Sequence, residues 1–154
     1  MIRNKKVNDV EMELDNGIIA VASDLHVPFQ DNDAVNAFIE YCKDIQPHSI
    51  VLNGDVVDMY MLSRFAKGEG RNPMDEIEEA KDILYSLRKA CPKSLIFYVI
   101  GNHEQRLEKT ILAKAPELAS LIEDVFSIFK LEDIGIEGCG SLTVNNSFVF
   151  KHGT

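Results

Sequence analysis

Short, continuous apolar runs mark the predicted strands of this chain. Three of them are rich in β-branched residues and read GIIAVAS at 17–23, SIVLN at 49–53 and SLIFYVI at 94–100. Such runs are typical of strands that are buried on both faces, as in a parallel sheet. The sequence therefore predicts a central sheet built from these strands.

Apolar residues at helical spacing predict the helices between and after these strands. The helical stretches are 31–45, 73–90, 103–113 and 116–122. Asp31 or Asn32 can cap the first of them. The second has Pro73 at its start, acidic residues in its early turns, and Arg88 and Lys89 in its last turn, as the helix dipole favours.

The order of these elements predicts the fold class. Strands alternate with helices, which implies an α/β protein whose parallel sheet carries helices on its faces. Weak alternation over 7–14, followed by a turn at 15–17, predicts an opening hairpin. A second hairpin is predicted from 142–144 and 148–151. These terminal strands make the class α/β tending to a sandwich.

Composition and charge narrow the function classes. The 154 residues are 45% hydrophobic and 27% charged, with a net charge of −9. We expect one globular domain over 1–154 that lacks the basic surface used for nonspecific nucleic-acid binding. No apolar run approaches the roughly 20 residues of a membrane span. The basic N-terminus is followed by polar and acidic residues, so we expect a cytoplasmic protein.

The three cysteines give no sign of a metal or disulfide framework. Cys42, Cys91 and Cys139 are odd in number and widely spaced. We expect reduced, mostly buried thiols.

Polar residues of one chemical kind follow four of the predicted strands. The segments are Asp24-Leu25-His26, Gly54-Asp55-Val56-Val57-Asp58, Gly101-Asn102-His103-Glu104 and His152-Gly153. Because the carboxyl ends of parallel strands lie along one sheet edge, these segments could converge on one site. Residues two apart in an extended segment also face the same side, which favours Asp24 and His26 acting together.

Each segment taken singly also has a purely structural explanation. Asp, Asn and His are common in turns. Asp58 could cap a short helix near 59–65, and Asn102 could cap a helix with Glu104 in its first turn. His152 could be an exposed edge residue. Their occurrence together, each at a strand end, favours a shared site.

Binding of two divalent cations would explain why these polar residues occur together at the strand ends. Two ions about 3.5–4 Å apart can stabilise both oxygens of a displacement at phosphorus. Such a pair needs a bridging carboxylate, for which Asp55 is the candidate. Asp24 and His26 would hold one ion, and Asn102 and His152 the other. Carboxylate, imidazole and amide ligands suit manganese, with iron or zinc as alternatives.

The motif order resembles the calcineurin-like metallophosphoesterase superfamily. That family places D-x-H, G-D-x-x-D, G-N-H-[DE], H and G-H-x-H at strand ends of a four-layer αββα sandwich, and the matching residues here span 18–154. The resemblance implies hydrolysis of a phosphomonoester or phosphodiester by a water that two metal ions activate. It further implies that His103 protonates the leaving oxygen without being a ligand, and that Asp58 fixes the imidazole tautomer.

Two departures from the family pattern limit these expectations. The protein serine/threonine phosphatases of the superfamily have Arg after the second motif, where this chain has Met59. Arg64, Arg71 and Arg106 are left as candidate phosphate contacts, with Arg106 nearest to a motif, although a solvent-facing position is the more common one for such residues.

The second departure is the missing G-H-x-H motif after His152. The αββα sandwich would then be truncated at its C-terminus, and the single domain incomplete. The apolar strand ending at Lys151 would stay exposed or pair with a partner, including a second copy of the chain. We favour a fragment of a longer protein over a naturally short chain or an oligomer that a neighbour completes.

Three functions compete on the sequence. The first is a metallophosphoesterase acting on a phosphate ester of unknown class, nucleic acid included. The second is a noncatalytic scaffold that binds metal or a partner. A nucleotide-binding doubly wound domain is disfavoured, because no strand is followed by a glycine-rich phosphate loop.

Overall fold

The computed structural model describes residues 7–63, 72–119 and 123–153. The strands in this part of the chain are β1 (Val10–Met12), β2 (Ile19–Ala22), β3 (Ser49–Asn53), β4 (Leu95–Val99), β5 (Ile136–Cys139), β6 (Leu142–Val144) and β7 (Phe148–Phe150). The α-helices are α1 (Asn32–Ile45), α2 (Pro73–Ala90), α3 (Arg106–Lys114), α4 (Val125–Phe129) and α5 (Leu131–Ile134).

A four-stranded parallel sheet forms the centre of the fold. Its strand order is β2-β3-β4-β5, and each neighbouring pair is parallel. The three strands predicted from apolar runs are its first three members, and β3 has the predicted bounds. Because all four strands point the same way, their carboxyl ends lie along a single edge. The α/β class is therefore confirmed.

A smaller sheet of order β1-β6-β7 packs against this one. The predicted late hairpin is confirmed, since β6 and β7 are antiparallel. Its turn has Asn145 at φ 51° and Asn146 at φ 50°, as the tightest hairpin turns require.

The predicted opening hairpin is wrong. β1 pairs in parallel with β6, about 130 residues later in the chain, as the partnership of Val10 with Leu142 shows. The half-buried Val10 and Met12 lie beside Leu142 and Val144 of β6 in the core between the two sheets, so long-range packing decides the pairing. Residues 15–17 lead the chain from one sheet to the other instead of closing a hairpin.

Alternating side chains divide the interior into two cores. On β3, Ile50 and Leu52 face a core shared with the helices, whereas Val51 faces the smaller sheet. Helices thus pack on one face of the four-stranded sheet, and the second sheet covers the other. The expectation of helices on both faces is corrected by this arrangement. At the edge of the smaller sheet, Phe148 and Val149 are 66% and 62% exposed, as the apolar pattern predicted.

The two long helices match their predicted positions. Asp31 caps α1 by accepting from the amides of Asp33 and Ala34, and Asn72 caps α2 by accepting from the amide of Met74. Helix α2 begins at Pro73 and ends at Ala90, as predicted. Among the described residues, no helix is both long and apolar enough to cross a membrane.

The shorter helical predictions are only partly correct. Helix α3 begins at Arg106, three residues later than predicted, because residues 101–105 form a turn. Only a 3₁₀ turn, Pro116–Leu118, forms in the first part of 116–122, and residues 120–122 lie outside the described part. Asp58 does not cap a helix, since Met59 holds the cap position of the 3₁₀ turn Tyr60–Leu62 without a side-chain bond. Elements α4, α5 and β5 were not predicted.

The three cysteines are free and fully buried, as predicted. Burial raises the pKa of Cys42 to about 11 and that of Cys139 to about 12, from the usual 9.0. The unfolded chain therefore loses these protons at lower pH than the folded chain does. We expect the free energy of unfolding to fall as pH rises above 9, by up to about 1.4 kcal/mol per pH unit for each thiol.

Urea unfolding at pH 8 and pH 10 measures this effect. A Cys139→Ala variant should lose less stability between the two pH values than the wild type does. An identical loss in both proteins would contradict the assignment of the effect to the thiol.

Candidate metal centre

The loops that follow β2 and β3 are joined through their backbones. The amide of Asp24 donates to the carbonyl of Gly54 at 3.1 Å, and the amide of His26 donates to the carbonyl of Asp55 at 3.0 Å. Asp24, His26 and Asp55 all have positive φ, between 53° and 57°. This left-handed backbone costs on the order of 1–3 kcal/mol per residue and typically occurs at functional sites. It also corrects the extended geometry we expected for Asp24 and His26.

Asp55 lies at the centre of the site and is 3% exposed. Its Oδ1 accepts the amide of His103 at 3.0 Å. Its Oδ2 faces the Nε2 atoms of three imidazoles, at 3.2 Å for His152, 3.7 Å for His103 and 4.0 Å for His26. Segments from β2, β3, β4 and β7 therefore converge on one carboxylate oxygen.

The same three imidazoles are fixed in orientation by oxygen acceptors at Nδ1. His26 Nδ1 lies 3.1 Å from Asp58 Oδ1, His103 Nδ1 lies 2.9 Å from the Asp58 carbonyl, and His152 Nδ1 lies 2.8 Å from the Asn53 carbonyl. Because each Nδ1 donates to an oxygen, the Nε2 lone pair of a neutral ring is left facing Asp55. Metal-binding histidines typically have this arrangement.

Two groups of side-chain atoms that could hold a metal ion share Asp55. One is His26, Asp55 and His103, and the other is Asp24, Asp55 and His152; within each group the atoms lie within 4.8 Å of one another. Asn102 Oδ1 lies 3.1 Å from His152 Nε2. His26 Nε2 lies 3.7 Å from Asp24 Oδ1, but these two predicted ligands of one ion fall in different groups, so their pairing stays a prediction. This donor set of carboxylates, imidazoles and an amide fits two borderline or hard divalent ions.

Gly54 allows His152 to reach the site. It has φ 82°, and a Cβ at this position would lie 2.5 Å from His152 Cγ. Any side chain here would displace the imidazole.

Comparison with known proteins identifies the family. The model of the calcineurin-like phosphoesterases matches residues 18–154. The chain belongs to this family. The calcineurin-like phosphoesterases form a superfamily of hydrolases, and their metal-dependent chemistry agrees with the ligand groups around Asp55.

Two phage proteins are similar to this chain. The Gene 54 protein of Mycobacterium phage L5 is 42% identical over 109 residues, which cover 68% of this chain and 42% of the phage protein. The Gene 54 protein of Mycobacterium phage D29 is 28% identical over 120 residues, covering 75% and 46%. The chain thus spans less than half the length of these relatives. A comparison with the solved structures gave no significant match.

The acid–base residues implied by the phosphoesterase motifs are in contact. Asp58 Oδ1 lies 3.2 Å from His103 Nδ1. Arg106 donates to the Asp58 carbonyl at 2.7 Å and to His103 Nε2 at the same distance. Its side chain is only 22% exposed, so the prediction that Arg106 faces the solvent is wrong. Arg64 and Arg71 lie outside the described residues.

Two further polar residues lie outside the candidate metal centre or support its loops. His48 precedes β3 at the opposite sheet edge, where its Nδ1 contacts Ser49 Oγ at 2.7 Å. Glu104 is 1% exposed and forms hydrogen bonds with both central loops. We predicted it only as an acidic residue of a first helical turn. The acidic position of the G-N-H-[DE] motif was the one sequence signal of its importance.

Proposed function

We propose that this protein hydrolyses phosphate esters with the help of two divalent metal ions that share Asp55. The observation that carries the proposal is the convergence of three imidazole Nε2 atoms on Asp55 Oδ2, each with Nδ1 bound to an oxygen. Membership of a phosphoesterase family supports the same chemistry.

The proposed ligands of the metal pair come from four strand ends. Asp24, His26 and Asp55 would hold one ion, and Asp55, Asn102 and His152 the other. When bound, the ions would activate a water for attack and neutralise charge on the phosphoryl oxygens. Manganese is the proposed metal, because imidazole and carboxylate ligands without thiolates suit it, with iron and zinc as alternatives.

His103 is the proposed proton donor to the leaving oxygen. Asp58 holds the Nδ1 proton, so the imidazolium form of the ring would donate its Nε2 proton, on the side of Asp55. Arg106 faces that same Nε2 atom at 2.7 Å. A guanidinium at this position can bind a phosphoryl oxygen of the substrate. That contact would take the place of the contact between Arg106 and the His103 imidazole.

Hydrolysis of an aryl phosphate monoester or diester with added Mn²⁺ tests the proposal. We expect turnover that depends on Mn²⁺ and on Asp55.

A second candidate function is a noncatalytic scaffold. It is favoured by the exposed Phe148 and Val149 on β7, which offer a surface for a partner or a second copy of the chain. Calorimetric titration separates the two, since a scaffold need not bind two ions. A chain that binds Mn²⁺ at neither site would contradict the first proposal.

Replacement of Arg106 by glutamine tests its role in substrate binding. We expect KM and the inhibition constant of inorganic phosphate to rise roughly 10- to 100-fold, because a charge-assisted hydrogen bond is lost. Lys109→Gln removes an exposed cation from the same helix and should change neither constant. Equal effects of the two substitutions would mean that only the general charge of the surface matters.

A further inference from the structure

We infer that Glu104 is a positioning residue that holds the loops after β3 and β4 in the geometry that metal binding requires. The inference rests on the proposed function, because it gives metal binding as the property that this positioning serves. The hydrogen bonds of Glu104 are contacts within the protein and do not depend on that function.

Glu104 accepts five hydrogen bonds while being 1% exposed. Its Oε2 accepts the amides of Asp55 at 3.1 Å and Gly101 at 2.8 Å. Its Oε1 accepts the amides of Val56 at 2.8 Å and Val57 at 3.3 Å, and the hydroxyl of Tyr98 at 2.7 Å. One carboxylate therefore binds three consecutive amides of one loop and an amide of the next.

The loop after β3 needs such an acceptor. Gly54 and Asp55 have positive φ, which turns the backbone out of the sheet and away from the ladder acceptors. A buried amide without an acceptor costs on the order of 1–3 kcal/mol. Because the Asp55 amide is itself held, the direction of the Asp55 carboxylate depends on Glu104. Asn102 and His103 immediately precede Glu104, so the same contacts fix their loop.

Only a carboxylate satisfies all these donors. All five partners donate, so both oxygens must act as acceptors. Among the residues the structure describes, no lysine or arginine forms an ion pair with Glu104, so N–H and O–H dipoles stabilise its charge. Burial and the neighbouring Glu104 raise the pKa of Tyr98 well above its usual value, which keeps its hydroxyl protonated as a donor.

The test compares E104Q and E104D with the wild type. In E104Q, one acceptor becomes an NH₂ group that faces backbone donors. We expect the amides of Asp55, Val56 and Gly101 to exchange with solvent at least about tenfold faster in the metal-free protein. We expect Mn²⁺ affinity to fall roughly 10- to 100-fold. E104D keeps the charge and should recover part of both properties.

A stability control separates positioning from a general loss of stability. Ile134→Val removes one methyl group from the helix-side core, at the opposite edge of the sheet, and should lower the melting temperature without changing Mn²⁺ affinity. If E104Q does not fold, E104D carries the test. Wild-type amide exchange and Mn²⁺ affinity in E104Q, or in E104D where E104Q does not fold, would overturn the inference.

The inference and the proposed function can fail separately. If the wild type binds no Mn²⁺, the proposed function fails, and the amide exchange rates still decide whether Glu104 orders the two loops. If the wild type binds Mn²⁺ and E104Q binds it equally well, only the inference fails.

Discussion

Asp55→Asn should abolish binding of the ion pair and lower kcat/KM for a phosphate ester by roughly 10³-fold or more, the scale on which loss of a central catalytic group acts. Asparagine has the same shape and can still accept the amide of His103 through Oδ1. Its NH₂ group would instead donate to the imidazole nitrogens that now face Oδ2. The ligand shared by both groups is lost without a change in the size of the side chain.

The thermal stability of this variant distinguishes loss of metal from loss of fold. Each metal ion at 100 times its dissociation constant stabilises a protein by about 2.7 kcal/mol, so two ions would raise the melting temperature of a chain of this size by roughly 10–20 °C. We expect Mn²⁺ to raise the melting temperature of the wild type by this amount and to leave Asp55→Asn unchanged. Without metal, the variant should be at least as stable as the wild type, because a carboxylate within 4.8 Å of an Asp24 oxygen is neutralised.

Asp44→Asn is the matched control, since Asp44 is an exposed carboxylate on α1. It should keep both the activity and the stabilisation by Mn²⁺. If Mn²⁺ stabilised Asp55→Asn as strongly as the control, Asp55 would not be the shared ligand.

Gly101→Ala should have the largest effect on folding among the substitutions considered. A Cβ at Gly101 would lie 2.2 Å from Asp55 Oδ1, 2.3 Å from the Asp55 amide nitrogen and 2.6 Å from Glu104 Oε2. The backbone must shift to relieve such contacts, so we expect a loss of about 3 kcal/mol or more. The shift would also move Asp55, and Mn²⁺ binding should be lost even where the protein still folds.

Gly153→Ala provides the comparison, because among the described residues no atom beyond the chain neighbours lies within 4 Å of the added Cβ. Urea unfolding and Mn²⁺ titration of the two variants measure both effects. A Gly101→Ala protein with wild-type stability and metal affinity would show that the two loops are not packed as tightly as described.

The sequence was sufficient for the elements whose patterns are local. Residues 49–53 and 73–90 have the predicted bounds, because an apolar run or a capped amphipathic stretch determines each of them. The motifs at the strand ends could be expected to meet, since parallel strands place their carboxyl ends at one edge. The structure brings the predicted metal ligands together with His103, Asp58 and Arg106, while Arg64 and Arg71 lie outside the described residues. The roles in metal binding and proton transfer remain predictions.

The remaining features depend on contacts between residues far apart in the chain. The partner of β1 comes from β6, and no local pattern encodes that pairing. Positive φ at Asp24, His26 and Asp55 arises from the bonds between two loops, so an extended geometry was expected instead. Glu104 resembled an ordinary residue of a helix start, because its five donors lie in segments that only the fold brings near it.

Anomalous scattering at the manganese absorption edge, from crystals grown with Mn²⁺, tests whether Asp55 is shared by two metal ions. We expect two manganese peaks per chain, each within coordination distance of an Asp55 oxygen, with side chains from all four strand ends around them. A single peak, or manganese bound away from Asp55, would contradict this expectation.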